Sequence, residues 1–195
     1  CGRVCPQETQ CEIKCVVGRK GTPVAIGQLE RFVGDWGLTH EISPGPHPAG
    51  LVQAGRTPAS RIPARVAIIG SGPSGLACAQ DLATAGLEVT IYEAPHTAGG
   101  VLAYGIPPFR LPRKIVAQEI ESLRQMGVKF EFNKAIGRIF TIEQLLHQKE
   151  FDAVFIGTGA GLPKFMGLPG EHLIGIMSAN EFLTRVNLMH GYEHA

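Results

Sequence analysis

The sequence has no apolar run long enough to cross a membrane and no excess of either charge. Its longest apolar stretches, such as Val66–Ile69 and Ala153–Ile156, have the length of strands, whereas a transmembrane helix needs ~20 residues. Lysine and arginine together number 18, against 17 for aspartate and glutamate, so no electrostatic case exists for an anionic partner. We therefore expect neither a membrane nor a nucleic acid as partner.

Several kinds of catalytic residue are also missing. No cysteine follows Cys78, which disfavours a flavin disulfide reductase because that chemistry needs a redox cysteine pair near the flavin. The seven histidines have no metal-ligand spacing, and no side chain stands out as a catalytic acid, base or nucleophile. No signal peptide or natural start is visible at Cys1. We expect a cytoplasmic protein whose cofactors carry the chemistry.

The chain divides into three parts by composition. Residues 1–42 hold four of the five cysteines, followed by an amphipathic helix predicted from Val24 to Trp36. Residues 43–63 contain five prolines and three glycines, which predict a linker. Residues 64–195 alternate strands with helices, and this order indicates an α/β domain on a parallel sheet.

Hydrophobic periodicity predicts most elements of the last part. Cys78 lies in the first of its helices and is expected in the core. Two later helices are predicted to start at Thr141 and Ser178, each with capping-box spacing. The other predicted elements are strands at 66–69, 87–93, 128–132 and 151–156 and helices at 73–86 and 112–126.

A glycine fingerprint follows the first predicted strand and opens a helix. We expect Gly70 to allow a tight turn, Gly72 to let a pyrophosphate approach the backbone, and Gly75 to let the helix pack closely on the strand. Glu93 ends the second strand 18 residues beyond Gly75, where its carboxylate can accept hydrogen bonds from ribose hydroxyls. A glycine-rich turn without a ligand is the alternative, but motif, context and acid together favour a dinucleotide site.

Later segments favour FAD over NAD, although the fingerprint itself serves both. Gly99, Gly100 and the stretch from Gly105 to Arg110 are rich in bare backbone where a nucleotide-only domain would begin its next helix. This arrangement suits an extended flavin. A second glycine cluster follows Ile156, at the carboxyl ends of the strands, where such sheets bind ligands, although alone it would be an ordinary loop. A plain NAD-dependent dehydrogenase is the alternative.

The N-terminal cysteines have the pattern C-x3-C-P-x4-C-x3-C, beginning at Cys1. This is not the paired C-x2-C arrangement of structural zinc, although spacing alone does not exclude zinc. Iron–sulfur clusters use cysteine thiolates, and one ligand is often followed by proline, as Cys5 is here. Two disulfides or reduced structural thiols are the alternatives. The pattern favours an iron–sulfur cluster.

Together these motifs resemble the small subunit of NADPH-dependent glutamate synthase over nearly the whole chain. The resemblance begins with Cys1-Gly-Arg-Val-Cys-Pro, Cys11-Glu-Ile-Lys-Cys and Ile26-Gly-Gln-Leu-Glu-Arg-Phe, which lie ahead of the fingerprint. The stretches that begin at Tyr104 and Ser178 look most like one branch of the family. That branch contains homotetrameric glutamate synthase-like proteins and the large subunit of electron-bifurcating NADH-dependent ferredoxin–NADP oxidoreductase.

The resemblance implies a helical domain with two 4Fe-4S clusters ahead of an FAD-binding Rossmann domain. Electrons would pass from NADPH through FAD and the clusters to a glutamate synthase large subunit, or to a ferredoxin or flavoprotein partner, and we expect an oligomer. Cys5, Cys11 and Glu30 would contribute to one cluster and Cys15 to the other, whereas Cys1 is not expected to be a ligand. The implied FAD residues are Gly70, Gly72, Pro73, Ser74, Gly75, Glu93, Ala94, Gly99, Gly100, Val101, Leu102, Arg110, Ile136, Thr158 and Gly159.

Two features of that family are missing from the chain. Its C-x2-C-x4-C-x3-C-P segment does not precede Cys1, and no second fingerprint for NADPH follows the predicted helix at 178–189. Two clusters also need more ligands than the chain contains. We therefore expect an internal fragment that lacks the NADPH-binding domain and is inactive alone. A non-enzymatic electron-transfer or docking module is the remaining alternative.

Overall fold

The computed structural model describes residues 2–40, 42 and 64–193. Cys1 and the predicted linker at 43–63 lie outside the described residues. In the N-terminal part, three short 3-10 helices at Gln7–Thr9, Glu12–Lys14 and Val17–Arg19 precede helix α1 at Ile26–Thr39.

The rest of the chain forms the predicted α/β domain on a parallel sheet. Strands pair in the order β3-β2-β1-β4, and every pair is parallel. The strands are β1 (Arg65–Ile69), β2 (Glu88–Tyr92), β3 (Lys129–Glu131) and β4 (Ala153–Ile156). The helices are α2 (Pro73–Thr84), α3 (Val101–Tyr104), α4 (Arg113–Gln125), α5 (Ile142–His147) and α6 (Ala179–Asn187), and a 3-10 helix follows at Gly191–Glu193.

The core lies on both faces of the sheet because successive strand residues point to opposite sides. Val66 and Ile68 of β1 pack with Ala79 of α2 and Leu123 of α4. Ala67 and Ile69 face the other way and pack with Leu145 and Phe151. Burial on two faces explains why β1 reads as an uninterrupted apolar run. Cys78 packs against the first of these clusters, as predicted.

Several helix ends follow local capping chemistry. In α2 the amide of Gly86 donates to the Ala83 carbonyl and that of Leu87 to the Leu82 carbonyl, a Schellman motif that favours glycine because the φ of Gly86 is +83°. Thr141 and Gln144 form the predicted capping box at the start of α5. At α6, Ser178 accepts a hydrogen bond from the Glu181 amide, which is one half of the predicted pair.

Two features differ from the sequence expectations. Helix α1 is present, but its apolar side chains are not covered by the described residues: Leu29 is 55%, Val33 65% and Trp36 49% exposed. Helical spacing identifies such a face without identifying what packs on it. The second difference is α3, a single helical turn inside a segment for which the sequence predicted only bare backbone.

The cysteine-rich part contacts the α/β domain directly. Val4 packs against a cluster that contains Ala98, Leu111, Val116 and Ile120. Within the described residues, no helix is both long and apolar enough to span a bilayer.

Candidate functional site

The fingerprint loop joins β1 to α2 at the carboxyl edge of the sheet. Gly70 has a φ of +99°, and a Cβ atom there would lie 2.4 Å from the carbonyl oxygen of Gly157. A Cβ on Gly75 would lie 2.0 Å from the Gly70 carbonyl oxygen. Both positions therefore require glycine, because a side chain would collide with backbone that cannot move away.

Gly72 differs from its two neighbours in the fingerprint. A Cβ there would meet no atom within 4 Å, and its φ of −69° suits any residue. No steric demand of the protein itself explains this glycine. Gly72 also precedes α2, whose first turn leaves amide N–H groups without intrahelical acceptors and carries a partial positive charge. An open backbone approach to a helix start fits a pyrophosphate.

Glu93 follows β2 and is held by the fingerprint loop. It is buried, and its carboxylate accepts hydrogen bonds from the Ser71 amide at 2.7 Å, from the Ser71 hydroxyl and from the Ala94 amide at 2.8 Å. The hydroxyl oxygen of Ser71 also accepts a hydrogen bond from the Gly99 amide at 3.0 Å. Three of about four acceptor positions on a carboxylate are thus used within the chain, which leaves about one for a ribose hydroxyl.

Ser71 is a site residue that the sequence analysis missed. It is fully buried and links the fingerprint, Glu93 and the segment that begins at Gly99. The only sequence signal for its role is a small hydroxyl residue between two fingerprint glycines. Its hydrogen-bond partners, Glu93 and Gly99, lie 22 and 28 residues further along the chain.

The predicted FAD residues at 99–102 lie against the fingerprint. Gly99 and Gly100 have φ values of +116° and +51°, and a Cβ on Gly100 would lie 2.8 Å from the Gly72 Cα. Thr158 also approaches the loop, because an ideal Cβ on Gly70 would be 3.3 Å from its Cα. The predicted segment at 99–102 and the predicted residue Thr158 therefore both lie against the fingerprint loop.

Arg113 lies beside this region and was also missed. Its Nη1 atom donates to the Leu102 carbonyl at 2.8 Å, while Nη2 is buried without a hydrogen-bond partner among the described residues. Burial lowers the pKa of the Arg113 guanidinium from its ordinary value. Arginine nevertheless stays protonated in proteins, so a partly desolvated positive charge lies next to the predicted flavin segment.

The remaining predicted FAD residues are spread around the same edge. Pro73 and Ser74 are exposed in the first turn of α2, and Ala94 is exposed beyond Glu93. Ile136 packs against the cluster that contains Ala67 and Ile69. Arg110 is exposed and lines a cavity of about 350 Å³ together with the loop at 2–8 and Arg31. The other predicted residues, placed above, are Gly70, Gly72, Gly75, Glu93, Gly99, Gly100, Thr158 and, within α3, Val101 and Leu102; Gly159 follows Thr158 with a φ of +69°.

The predicted cluster ligands lie in the loop that packs on α1. Cys5, Cys11 and Cys15 form no disulfides, and Glu30 is exposed on α1. Among the residues that the structure describes, no three cysteine, histidine, aspartate or glutamate side chains converge on a metal-sized space. The structure thus places the four residues in one module without bringing them together.

Cys15 has the environment of a stabilised thiolate. Hydrogen bonds from the backbone amides of Val24, Gly18 and Val17 lower the pKa of its thiol below the ordinary value. Backbone amides that donate to cysteine sulfur also tune iron–sulfur clusters. An environment that lowers the pKa of the Cys15 thiol is compatible with its predicted role as a cluster ligand. In contrast, burial raises the pKa of the Cys78 thiol, as expected for a core residue.

The loop is held on α1 by several contacts. Arg3 pairs with Asp35 of α1, and the Gly27 amide of α1 donates to Glu12 at 3.2 Å. Within the loop, the Gln7 side chain donates to the Gly2 carbonyl at 3.2 Å. A Cβ on Gly27 would lie 2.2 Å from the Gln7 side chain. A side chain at position 27 would therefore require the buried end of Gln7 to move.

Two protein families match the chain. Residues 1–42 match dihydropyrimidine dehydrogenase domain II, 4Fe-4S cluster, and residues 64–189 match pyridine nucleotide-disulphide oxidoreductase. Among solved structures, Mycobacterium tuberculosis FprA in complex with NADPH is similar with a TM-score of 0.57 and 26% identity, over 64% of this chain and 29% of that chain.

Individual relatives are similar over nearly all of this chain. The β subunit of the NADP(+)-dependent formate dehydrogenase of Moorella thermoacetica is 42% identical over 200 residues, which cover 96% of this chain and 28% of the relative. The glutamate synthase (NADPH) small chain of Escherichia coli (strain K12) is 36% identical over 183 residues, or 94% and 36% respectively. The chain thus spans well under half the length of these relatives.

Proposed function

The chain belongs to the pyridine nucleotide-disulphide oxidoreductase family, and from this we propose that the whole protein passes electrons from NADPH through FAD and 4Fe-4S clusters to a partner. The expected similarity to glutamate synthase small chains is confirmed at 34–38% identity. An oxidoreductase with a 4Fe-4S domain is thereby supported. The electron donor, the cofactors' contacts and the partner are part of the proposal.

The observation that carries the proposal is the open space at Gly72. Contacts within the protein require glycine at positions 70 and 75, but no such contact requires glycine at position 72. A bound pyrophosphate would use that space and the free amides of the α2 first turn.

Each cofactor has a distinct place in the proposal. FAD would supply the ring that accepts hydride, and the clusters the path for single electrons. The chain's residues bind and orient: Gly70 and Gly75 shape the turn, Glu93 accepts from a ribose hydroxyl, and Gly99 to Leu102 lie along the flavin. The remaining predicted FAD residues would contact FAD, while Cys5, Cys11, Cys15 and Glu30 would hold the clusters.

We propose the glutamate synthase large subunit as the partner, in a cytoplasmic oligomer. A second candidate is favoured by the 42% identity to a subunit of NADP(+)-dependent formate dehydrogenase, which exceeds the 36% to the Escherichia coli glutamate synthase chain. In that case the partner is another redox protein, such as a ferredoxin or a flavoprotein. Because the chain spans only part of its relatives, we propose that these 195 residues alone are inactive.

The test uses the whole protein purified without oxygen. We expect released FAD, iron and acid-labile sulfide, bleaching of the flavin absorption by NADPH, and NADPH-dependent reduction of an artificial acceptor without any partner. Bound NAD in place of FAD would support a plain dehydrogenase. Bound cofactors without turnover would support a docking module instead. Glutamate formation only after addition of a glutamate synthase large subunit would distinguish the first partner from the second.

A further inference from the structure

Helix α3 is too short to satisfy its own carbonyl groups. The last four carbonyls of any helix lack intrahelical donors, and α3 has four residues in all. Side chains from other elements donate hydrogen bonds to two of these carbonyls instead. Arg113 Nη1 donates to the Leu102 carbonyl at 2.8 Å, and Asn187 Nδ2 donates to the Tyr104 carbonyl at 3.0 Å.

The two donors come from different helices that flank α3. Arg113 is the first residue of α4, and Asn187 is the last residue of α6, 83 positions after Tyr104. Both side chains are half-buried. On the opposite side, Gly99 and Gly100 hold the start of α3 against Ser71 and Gly72. The turn is therefore fixed at both ends, by the fingerprint loop and by these two side chains.

The charge at Arg113 suggests more than a packing role. Partial desolvation of a guanidinium costs free energy unless hydrogen bonds offset it, and one of its terminal nitrogens has no partner among the described residues. A neutral donor could bond the Leu102 carbonyl without that cost. A fixed positive charge near a flavin also favours the reduced form, since reduction adds negative charge to the ring.

We propose that Arg113 and Asn187 are positioning residues for FAD. They hold α3, and with it the backbone from Gly99 to Leu102, in the shape that the flavin contacts, and Arg113 also tunes the flavin through its charge. This inference rests on the proposed function, which supplies the flavin. It adds two residues outside the fingerprint and links α6 to the flavin segment.

The test compares FAD binding by the whole protein and by four variants of it. Arg113→Met removes the donors and the charge but keeps the aliphatic stem, Arg113→Lys restores a donor and the charge, and Asn187→Ala removes the second donor. Arg124→Met is the control on α4, because Arg124 is exposed and pairs with Glu121 on its own helix. The readouts are the FAD dissociation constant, visible circular dichroism of the bound flavin, its reduction potential and thermal stability.

We expect Arg113→Met and Asn187→Ala to weaken FAD binding about tenfold, the loss of one buried hydrogen bond, and to change the visible circular dichroism. Arg113→Met should also make the flavin potential more negative, whereas Arg113→Lys should keep it. Arg124→Met should match the wild type in FAD affinity, visible circular dichroism and flavin potential. If Arg113→Met does not fold, Arg113→Lys and Asn187→Ala carry the test.

The inference is wrong if the wild type binds FAD and both Arg113→Met and Asn187→Ala bind it with unchanged affinity and circular dichroism, even when their thermal stability falls. A wild-type whole protein that binds no FAD would instead contradict the proposed function itself. The two failures are therefore distinguished by the wild type alone.

Discussion

At the scale of single residues, Gly70 and Gly86 are glycine for reasons that can be separated. Gly70 has both a positive φ and a backbone atom where a Cβ would be, whereas Gly86 has a φ of +83° and open space. The pair allows strain from the dihedral angle to be separated from a steric collision.

We predict that Gly70→Ala destabilises the fold by about 3 kcal/mol, since it adds a collision with the Gly157 carbonyl to the cost of a left-handed conformation. Gly86→Ala is the control and should cost about 1 kcal/mol from the dihedral angle alone. Urea unfolding measures both. Equal losses in the two variants would show that the contact with Gly157 has no energetic weight.

The cysteines provide a second prediction at this scale. In the protein without clusters, the lowered pKa of Cys15 and the raised pKa of Cys78 mean that Cys15 holds more thiolate at any given pH. We predict that iodoacetamide labelling of Cys15 reaches half its maximal rate at a lower pH than labelling of Cys78. Mass spectrometry of the labelled peptides measures both profiles, and the midpoint is compared because accessibility alters the maximal rate. A reversed order would contradict the amide contacts at Cys15.

At the scale of elements, α5 depends on its capping box. Thr141 and Gln144 exchange hydrogen bonds of 2.8 and 3.2 Å, and the helix carries the fully buried Leu145 into the core. We predict that Thr141→Ala lowers the free energy of unfolding by about 1 kcal/mol, while Thr141→Ser, which keeps the hydroxyl, stays close to the wild type. Urea denaturation distinguishes the two, and equal midpoints for alanine and serine would rule out the cap.

Elements with a local cause could be predicted from the sequence, whereas contacts between distant elements could not. Neighbours in the chain determine three of these features: the apolar run from Val66 to Ile69, the glycine at the end of α2 and the cap at Thr141. The short turn of α3 depends on Arg113 and Asn187, and its sequence alone has too few residues to form a stable helix.

The candidate site divides in the same way. The fingerprint and Glu93 could be predicted because their spacing follows from the β1–α2–β2 unit. Ser71 and Arg113 could not, since their roles depend on side-chain contacts that no spacing encodes. The cluster residues came from resemblance, and their roles remain predictions because the described residues do not converge on a cluster.

At the scale of the whole molecule, the cysteine-rich module and the α/β domain are in direct contact. Val4, next to Cys5, packs against the hydrophobic cluster that contains Leu111, and Leu102 packs against the same cluster. Arg110 lines a cavity together with the cysteine loop. The two cofactors would thus lie on neighbouring parts of one body, as single-electron transfer between them requires. The central claim, however, is the FAD site at Gly72.

The most direct measurement is a titration with FAD of the whole protein, freed of its flavin, and of its Gly72→Ala variant, monitored by the quenching of flavin fluorescence. Gly34→Ala, on exposed α1 and also in open space, is the control. We predict tight binding by the wild type and the control, and at least about tenfold weaker binding by Gly72→Ala, with stability unchanged within about 0.5 kcal/mol. Equal affinity of Gly72→Ala and the wild type, or no binding by either, would contradict the account.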